Sequence, residues 1–153
     1  MSYLDKVLQP GETVLHRAKL SWTLYLPGLL MLVLALLAYG FVLSFFPQRQ
    51  IGALITLVIL GVPALYMLVR AWFERWITEI AVTNLRVILK RGFIRRHTIE
   101  MNMDKVESVD VDQSLLGRML NYGDITVRGV GSGFEPIRRV GDPLAFRSRV
   151  SAR

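Results

Sequence analysis

Hydrophobic and polar positions divide the chain into stretches of different period. Leu24–Phe46 and Ile51–Phe73 are nearly continuous apolar runs, separated by Pro47-Gln48-Arg49-Gln50. A bilayer core about 30 Å thick is crossed by roughly 20 apolar residues at helical rise, and each run supplies that length. The first run has no charged residue, and the second has only Arg70, in its last turn. The pattern predicts a transmembrane hairpin over residues 22–73, with spans at about 24–46 and 51–73.

Beyond the hairpin, residues 74–153 change to short segments with alternating apolar positions. Trp76–Val82, Leu85–Arg91, Arg95–Met103, Val106–Asp112, Asp124–Val130 and Phe134–Val140 read as six half-buried antiparallel strands. Thr83-Asn84 is a tight turn, and Pro136 marks the last strand as an edge or bulged one. Ser114–Leu120 interrupts the series. There Leu115, Leu116, Met119 and Leu120 cluster as one helical turn places them, with Ser114 as the cap. Asp142-Pro143 reads as a helix start, and Leu144, Ala145, Phe146 and Val150 give that helix an apolar face.

The first 21 residues form an N-terminal segment with a Pro10-Gly11 turn. The apolar run after it starts too late, and runs too long, for a cleavable signal peptide. Glu12–Leu20 is either a short strand or a segment lying along the membrane.

Charge sets an orientation. Arg17 and Lys19 precede the first span, Arg70 and Arg75 flank the end of the second, and the connecting turn has only Arg49. The positive-inside rule then puts both termini in the cytoplasm, in an inner (cytoplasmic) membrane protein. Trp22, Tyr25, Trp72 and Trp76 fall at the same interface and form an aromatic belt there. The net charge of +7 does not call for nucleic acid, since cations beside membrane spans account for it. There is no cysteine, which excludes disulfides, thiolate metal sites and a cysteine nucleophile. No ionisable side chain lies at depth in the spans, so a transport path or proton relay is not indicated. Gly61-Val62-Pro63 is expected to kink the second helix, and Gly40, Gly52 and Gly61 are positions where helices approach closely.

Six strands followed by one amphipathic helix is the layout of a pleckstrin-homology (PH) fold. Several stretches add to this: Glu79-Ile80-Ala81-Val82-Thr83-Asn84-Leu85-Arg86-Val87-Ile88, Arg91-Gly92-Phe93-Ile94, Val106-Glu107-Ser108-Val109, Gln113-Ser114-Leu115-Leu116-Gly117-Arg118 and Tyr122-Gly123. With the Leu8-Gln9-Pro10-Gly11-Glu12 start and the hairpin, they resemble the bacterial membrane-anchored PH-like family. The resemblance implies an α+β membrane protein: a two-helix anchor and a cytoplasmic PH-like antiparallel β-barrel or sandwich with a C-terminal helix. It supplies no catalytic residues and no cofactor. A PH domain has seven strands, so Glu12–Leu20 is a candidate for the missing one, which would insert the hairpin between two sheet strands.

Candidate chemistry is sparse. Gly129–Gly133 lacks the following helix of a phosphate-binding loop. His16 and His97 stand far apart, and no spacing matches a metal site. The sharpest feature is a charge separation. Arg86, Lys90, Arg91, Arg95 and Arg96 form a basic cluster, and Glu100, Asp104, Glu107, Asp110 and Asp112 form an acidic strip. The basic cluster could meet the acidic strip of a second subunit, or it could hold anionic lipid headgroups. The expected function is a non-enzymatic, self-associating membrane-anchored module. Its expected partners are membrane lipids, a second copy of the chain or another membrane protein, and not nucleic acid.

Overall fold

A computed structural model describes residues 7–92, 97–130, 132–133 and 136–151. The chain divides into two compact units: 1–23 together with 74–153, and 24–73.

The second unit is a helical hairpin. A 3-10 turn at Trp22–Tyr25 leads into α1 (Leu26–Phe45), whose first turn carries Pro27, where a missing backbone donor does no harm. After a four-residue turn, α2 runs over Gln50–Ile77 and includes Pro63. Both helices are long and apolar enough to cross a membrane. Small residues mark their contact. Ala35, Ala53 and Ala64 are fully buried, and a Cβ on Gly28 would lie 2.9 Å from Leu68 Cγ. A Cβ added at Gly40 or Gly61 would meet nothing within 4 Å, so Gly28, not the glycines expected from sequence, allows the close approach. Large apolar side chains such as Leu30, Leu37, Phe41, Ile59 and Leu65 point away from the contact. The α2 helix also continues four residues past the expected span, so Trp76 and Ile77 are helical and do not open a strand.

The first unit holds two four-stranded sheets. One has the order β1 (Val14–Ala18), β2 (Glu79–Thr83), β3 (Arg86–Arg91) and β4 (His97–Asn102), all antiparallel neighbours. The other joins β5 (Val106–Asp112), β6 (Tyr122–Gly129) and the two-residue β7 (Ser132–Gly133), with β8 (Ile137–Gly141) also on β6. Ser132–Gly133 folds back on Arg128–Gly129, and the expected strand Phe134–Val140 is described from Ile137 on, Phe134 and Glu135 lying outside the described residues. A short helix α3 (Leu115–Met119) links β5 to β6, and α4 (Pro143–Ser151) ends the unit.

Val14–Ala18 pairs with β2 from Val14↔Thr83 to Ala18↔Ile80, with a bulge between Val14 and His16. The hairpin thus interrupts the sequence between two directly paired strands. Past β1 the chain crosses to the second sheet. Ser21 N–H donates to Arg139 O (2.7 Å), Gly141 N–H donates to Lys19 O (2.9 Å), and Leu20 bridges Val140. The segment from Val14 to Ser21 consequently staples the two sheets together.

The core holds Ile80, Val82, Val87, Ile125, Val127, Ile137, Val140 and Phe146, each 1% exposed or less. Phe146 and Val150 place α4 against it, and Phe146 meets the His16 ring edge-on at 6.4 Å. The expected half-buried alternation does not hold in β2 and β3. Ile80-Ala81-Val82-Thr83 and Arg86-Val87-Ile88-Leu89 are buried at every position. Their consecutive apolar residues suit burial on both faces, with Ala81 and Ile88 packed beside Val14.

Candidate functional site

Arg86, which opens β3 after the Thr83-Asn84-Leu85 turn, is the centre of a largely buried polar network. Thr83 Oγ1 accepts from the N–H groups of Leu85 (3.2 Å) and Arg86 (3.0 Å), closing that turn. Asn84 docks it on the N-terminal segment: its Oδ1 accepts from Thr13 N–H at 2.9 Å, and its N–H donates to Thr13 O at 3.1 Å. This brings Glu12 to Arg86 across 74 positions. Arg86 Nε donates to Oε1 at 3.0 Å and Nη2 to Oε2 at 2.9 Å, a two-point guanidinium–carboxylate pair. Arg86 Nη1 reaches Glu100 Oε2 at 2.6 Å, and Nη2 also donates to Val7 O at 2.8 Å. Glu12 Oε2 accepts from Gln9 N–H at 2.9 Å, and Thr83 Oγ1 stands 2.7 Å from Oε1.

The Glu12 side chain is fully buried and that of Arg86 is 11% exposed. Burial pushes the Glu12 carboxyl up. The Arg86 hydrogen bonds, the Gln9 amide, the Thr83 hydroxyl and the Arg86 charge outweigh it and hold the group below its usual value. The hydrogen bond to Glu12 raises Arg86 in turn, against its own desolvation and with help from Glu100. Both groups stay charged, and the network clamps the N-terminal segment to the β2–β3 turn.

The basic cluster is therefore split. Arg86 belongs to this network and is not an exposed contact residue. Lys90 and Arg91 lie at the far end of β3, roughly 13 and 17 Å away at strand rise. Lys90 faces Glu79 at 3.7 Å, and Arg91 is half-buried opposite His97 in the ladder. Arg95 and Arg96 lie outside the described residues. The acidic strip is divided too. Glu100 sits on β4 with Arg86, Asp104 is on the 3-10 turn Met103–Lys105, and Glu107, Asp110 and Asp112 are exposed along β5. Asp110 pairs with exposed Arg128 at 2.9 Å. β5 is an edge strand, and beside it a cavity of about 270 Å³ is lined by Met103, Val106, Glu107, Ser108, Val109, Val150 and Ser151. Of the aromatic belt, Trp22 and Trp76 are exposed in the first unit, and Trp72 is exposed in the second, which also holds Tyr25. Among the described residues no group of three His, Asp or Glu could hold a metal ion.

Glu12, Asn84 and Thr83 are the members that sequence reasoning did not single out as a site. Their signal was indirect: Thr83-Asn84 and Pro10-Gly11 stood out as turns and as parts of a resemblance, not as members of a polar network. The motif Gln113–Arg118 has a clear structural content. Ser114 Oγ accepts from Gly117 N–H (3.1 Å), as expected of the cap, and Gln113 Nε2 donates to Tyr122 O (3.0 Å). Leu115, Leu116 and Met119 do not pack inward, being 80%, 63% and 81% exposed.

A family model described as the bacterial PH domain matches residues 18–153, a range that takes in the hairpin and every strand but β1, of which only Ala18 is included. The chain belongs to the bacterial PH domain family. No curated protein and no solved structure matches it. Within this bacterial PH domain, the sheets and the C-terminal helix form the α+β unit, and the two apolar helices suggest membrane anchoring.

Proposed function

We propose that the chain is a non-enzymatic, membrane-anchored interaction module of an inner membrane, with both termini cytoplasmic and a PH domain that self-associates. The observation that carries this reading is the insertion of two membrane-length helices between the paired strands β1 and β2. An anchor joined at two adjacent strands holds the domain against the membrane more closely than a single flexible tether. Self-association is supported by the exposed acids Glu107 and Asp112 on an edge strand, set against half-buried Arg91 on the other sheet, where Lys90 already faces Glu79. Two surfaces of opposite sign on one chain form a heterologous contact, which closes into a ring or extends.

Native mass spectrometry of the detergent-extracted chain tests it. A multimer is expected, and Glu107→Lys with Asp112→Lys should split it; a wild-type mass that is monomeric, or unchanged by the reversal, removes the self-association reading. A second reading, contact with anionic lipid headgroups, is favoured by the basic excess from Glu74 onward, fourteen Lys/Arg against ten Asp/Glu. It requires anionic lipid to be retained preferentially over zwitterionic lipid in the same spectra.

A further inference from the structure

The loop between β5 and β6 is cross-braced by the first two side chains of its motif. Gln113 holds Tyr122 O, and Ser114 caps Gly117. A Cβ at Gly117 would lie 2.6 Å from Tyr122 O, and one at Gly123 would lie 2.8 Å from Asp112 O, so both glycines are required by close backbone contact. Asn121 takes φ 51°, and its carbonyl accepts from Asp142 N–H at 3.0 Å. These interactions fix the backbone of α3. What they hold outward is apolar: Leu115, Leu116 and Met119, with exposed Arg118 among them. A rigid frame around a solvent-facing apolar tip marks an interaction site.

We infer that this tip inserts Leu115, Leu116 and Met119 into the interfacial layer of the bilayer to which the domain is anchored. The inference rests on the membrane-anchored reading and is independent of self-association. Three features select a bilayer over a second copy of the chain. The tip is a single convex helical turn, and three side chains offer far less than the roughly 800 Å² per partner of a stable protein interface. A domain joined to a membrane at both Thr23 and Glu74 meets the bilayer at high effective concentration, so shallow insertion of a few side chains suffices. Within the domain, the base of the loop is also linked through the second sheet to the segment that ends at Thr23. Tyr122, just after the loop, pairs with Gly141, whose N–H donates to Lys19 O, and Lys19 leads to Thr23. Arg118, exposed within the tip, suits a lipid phosphate beside the apolar contact.

The absence of native cysteine makes the test direct. Full-length Leu116→Cys, labelled with an environment-sensitive nitrobenzoxadiazole dye, is reconstituted into phosphatidylcholine–phosphatidylglycerol vesicles. Arg147→Cys on α4 is the exposed reference. The dye at position 116 should emit to the blue of the reference and be quenched by iodide about threefold less or weaker still. Adding Leu115→Asp and Met119→Asp to the Leu116→Cys chain should restore iodide access. Equal quenching at the two positions overturns the proposal. So does shielding that disappears at one chain per vesicle, which would assign the tip to a second copy. A chain stripped from the vesicles by alkaline carbonate fails the anchoring reading and takes the inference with it. An iodide-accessible tip in a chain that resists the wash removes the insertion alone.

Discussion

Glu12→Ala perturbs the Arg86 network at its most buried point. The carboxylate accepts from Arg86 Nε and Nη2 and from Gln9 N–H, and it lies 2.7 Å from Thr83 Oγ1, all with no exposed side-chain surface. Alanine leaves a largely buried guanidinium with Glu100 and Val7 O as its remaining partners. Removing one member of a buried pair costs about 3–5 kcal/mol, because the other charge stays desolvated. The Glu100 contact, one-third exposed on its acidic side, places the expected loss near the lower bound, about 3 kcal/mol. That corresponds to an increase of about a hundredfold in the opening equilibrium of β2 and β3. Hydrogen exchange by mass spectrometry on peptides spanning Glu79–Arg91, in the detergent-solubilised full chain, reads this quantity. Glu12→Leu combined with Arg86→Met removes both buried charges and should be more protected than Glu12→Ala alone, since the one ion it leaves without its partner, Glu100, is one-third exposed. Protection in Glu12→Ala within about threefold of wild type, or a double variant no better than the single, would refute the reasoning.

The same pair sets a pH dependence. A carboxyl held below its unfolded value contributes stability that is present above that value, near 4.5, and is lost as pH falls through the folded one. Stability of the PH unit should therefore drop on acidification below about pH 4.5, and Glu12→Gln should flatten the drop in a pH series of thermal melts. Gly117→Ala should destabilise the β5–β6 connection by about 1–3 kcal/mol, read as faster exchange at Gln113–Gly123, because its Cβ would sit 2.6 Å from a backbone carbonyl. Thr23→Val should melt at or above the wild-type temperature, since Thr23 Oγ1 is buried without a hydrogen-bond partner among the described residues.

Much of the fold was legible because its elements carry plain periodicities. The two helices follow from uninterrupted apolar length, and β5, β6 and α4 follow from alternation and from the Asp142-Pro143 start. The α2–β2 boundary was misplaced because Glu74-Arg75-Trp76-Ile77 suits either a helix or a strand, and the helix simply continues. Glu12–Leu20 could not be assigned from its own residues. Its strand depends on the open edge of β2, sixty positions on, which local pattern does not contain. The charge separation misled for a related reason. Charges at positions 86 and 90–91 look adjacent in sequence, but an extended strand spreads them, and an acid at position 12 neutralises the first. In α3 the apolar spacing was read correctly as a helical turn, but spacing fixes a face and not what that face meets, and Leu115, Leu116 and Met119 face solvent.

The pairing of β1 with β2 imposes an order on biosynthesis. β1 is made first and stays without its neighbour until roughly sixty further residues have been made, a long loop closure for a single strand pair. If the two helices associate in the bilayer, they draw Thr23 and Glu74 together and replace that closure with a preformed turn. A chain whose helices failed to insert would display the bare edge of β2, a surface that recruits other strands. The arrangement also tells an engineer where to cut. Truncating the chain at Glu74 discards β1 and leaves that edge open, whereas joining Thr23 to Glu74 through a short glycine–serine loop turns β1 and β2 into an ordinary hairpin and leaves every ladder of both sheets intact.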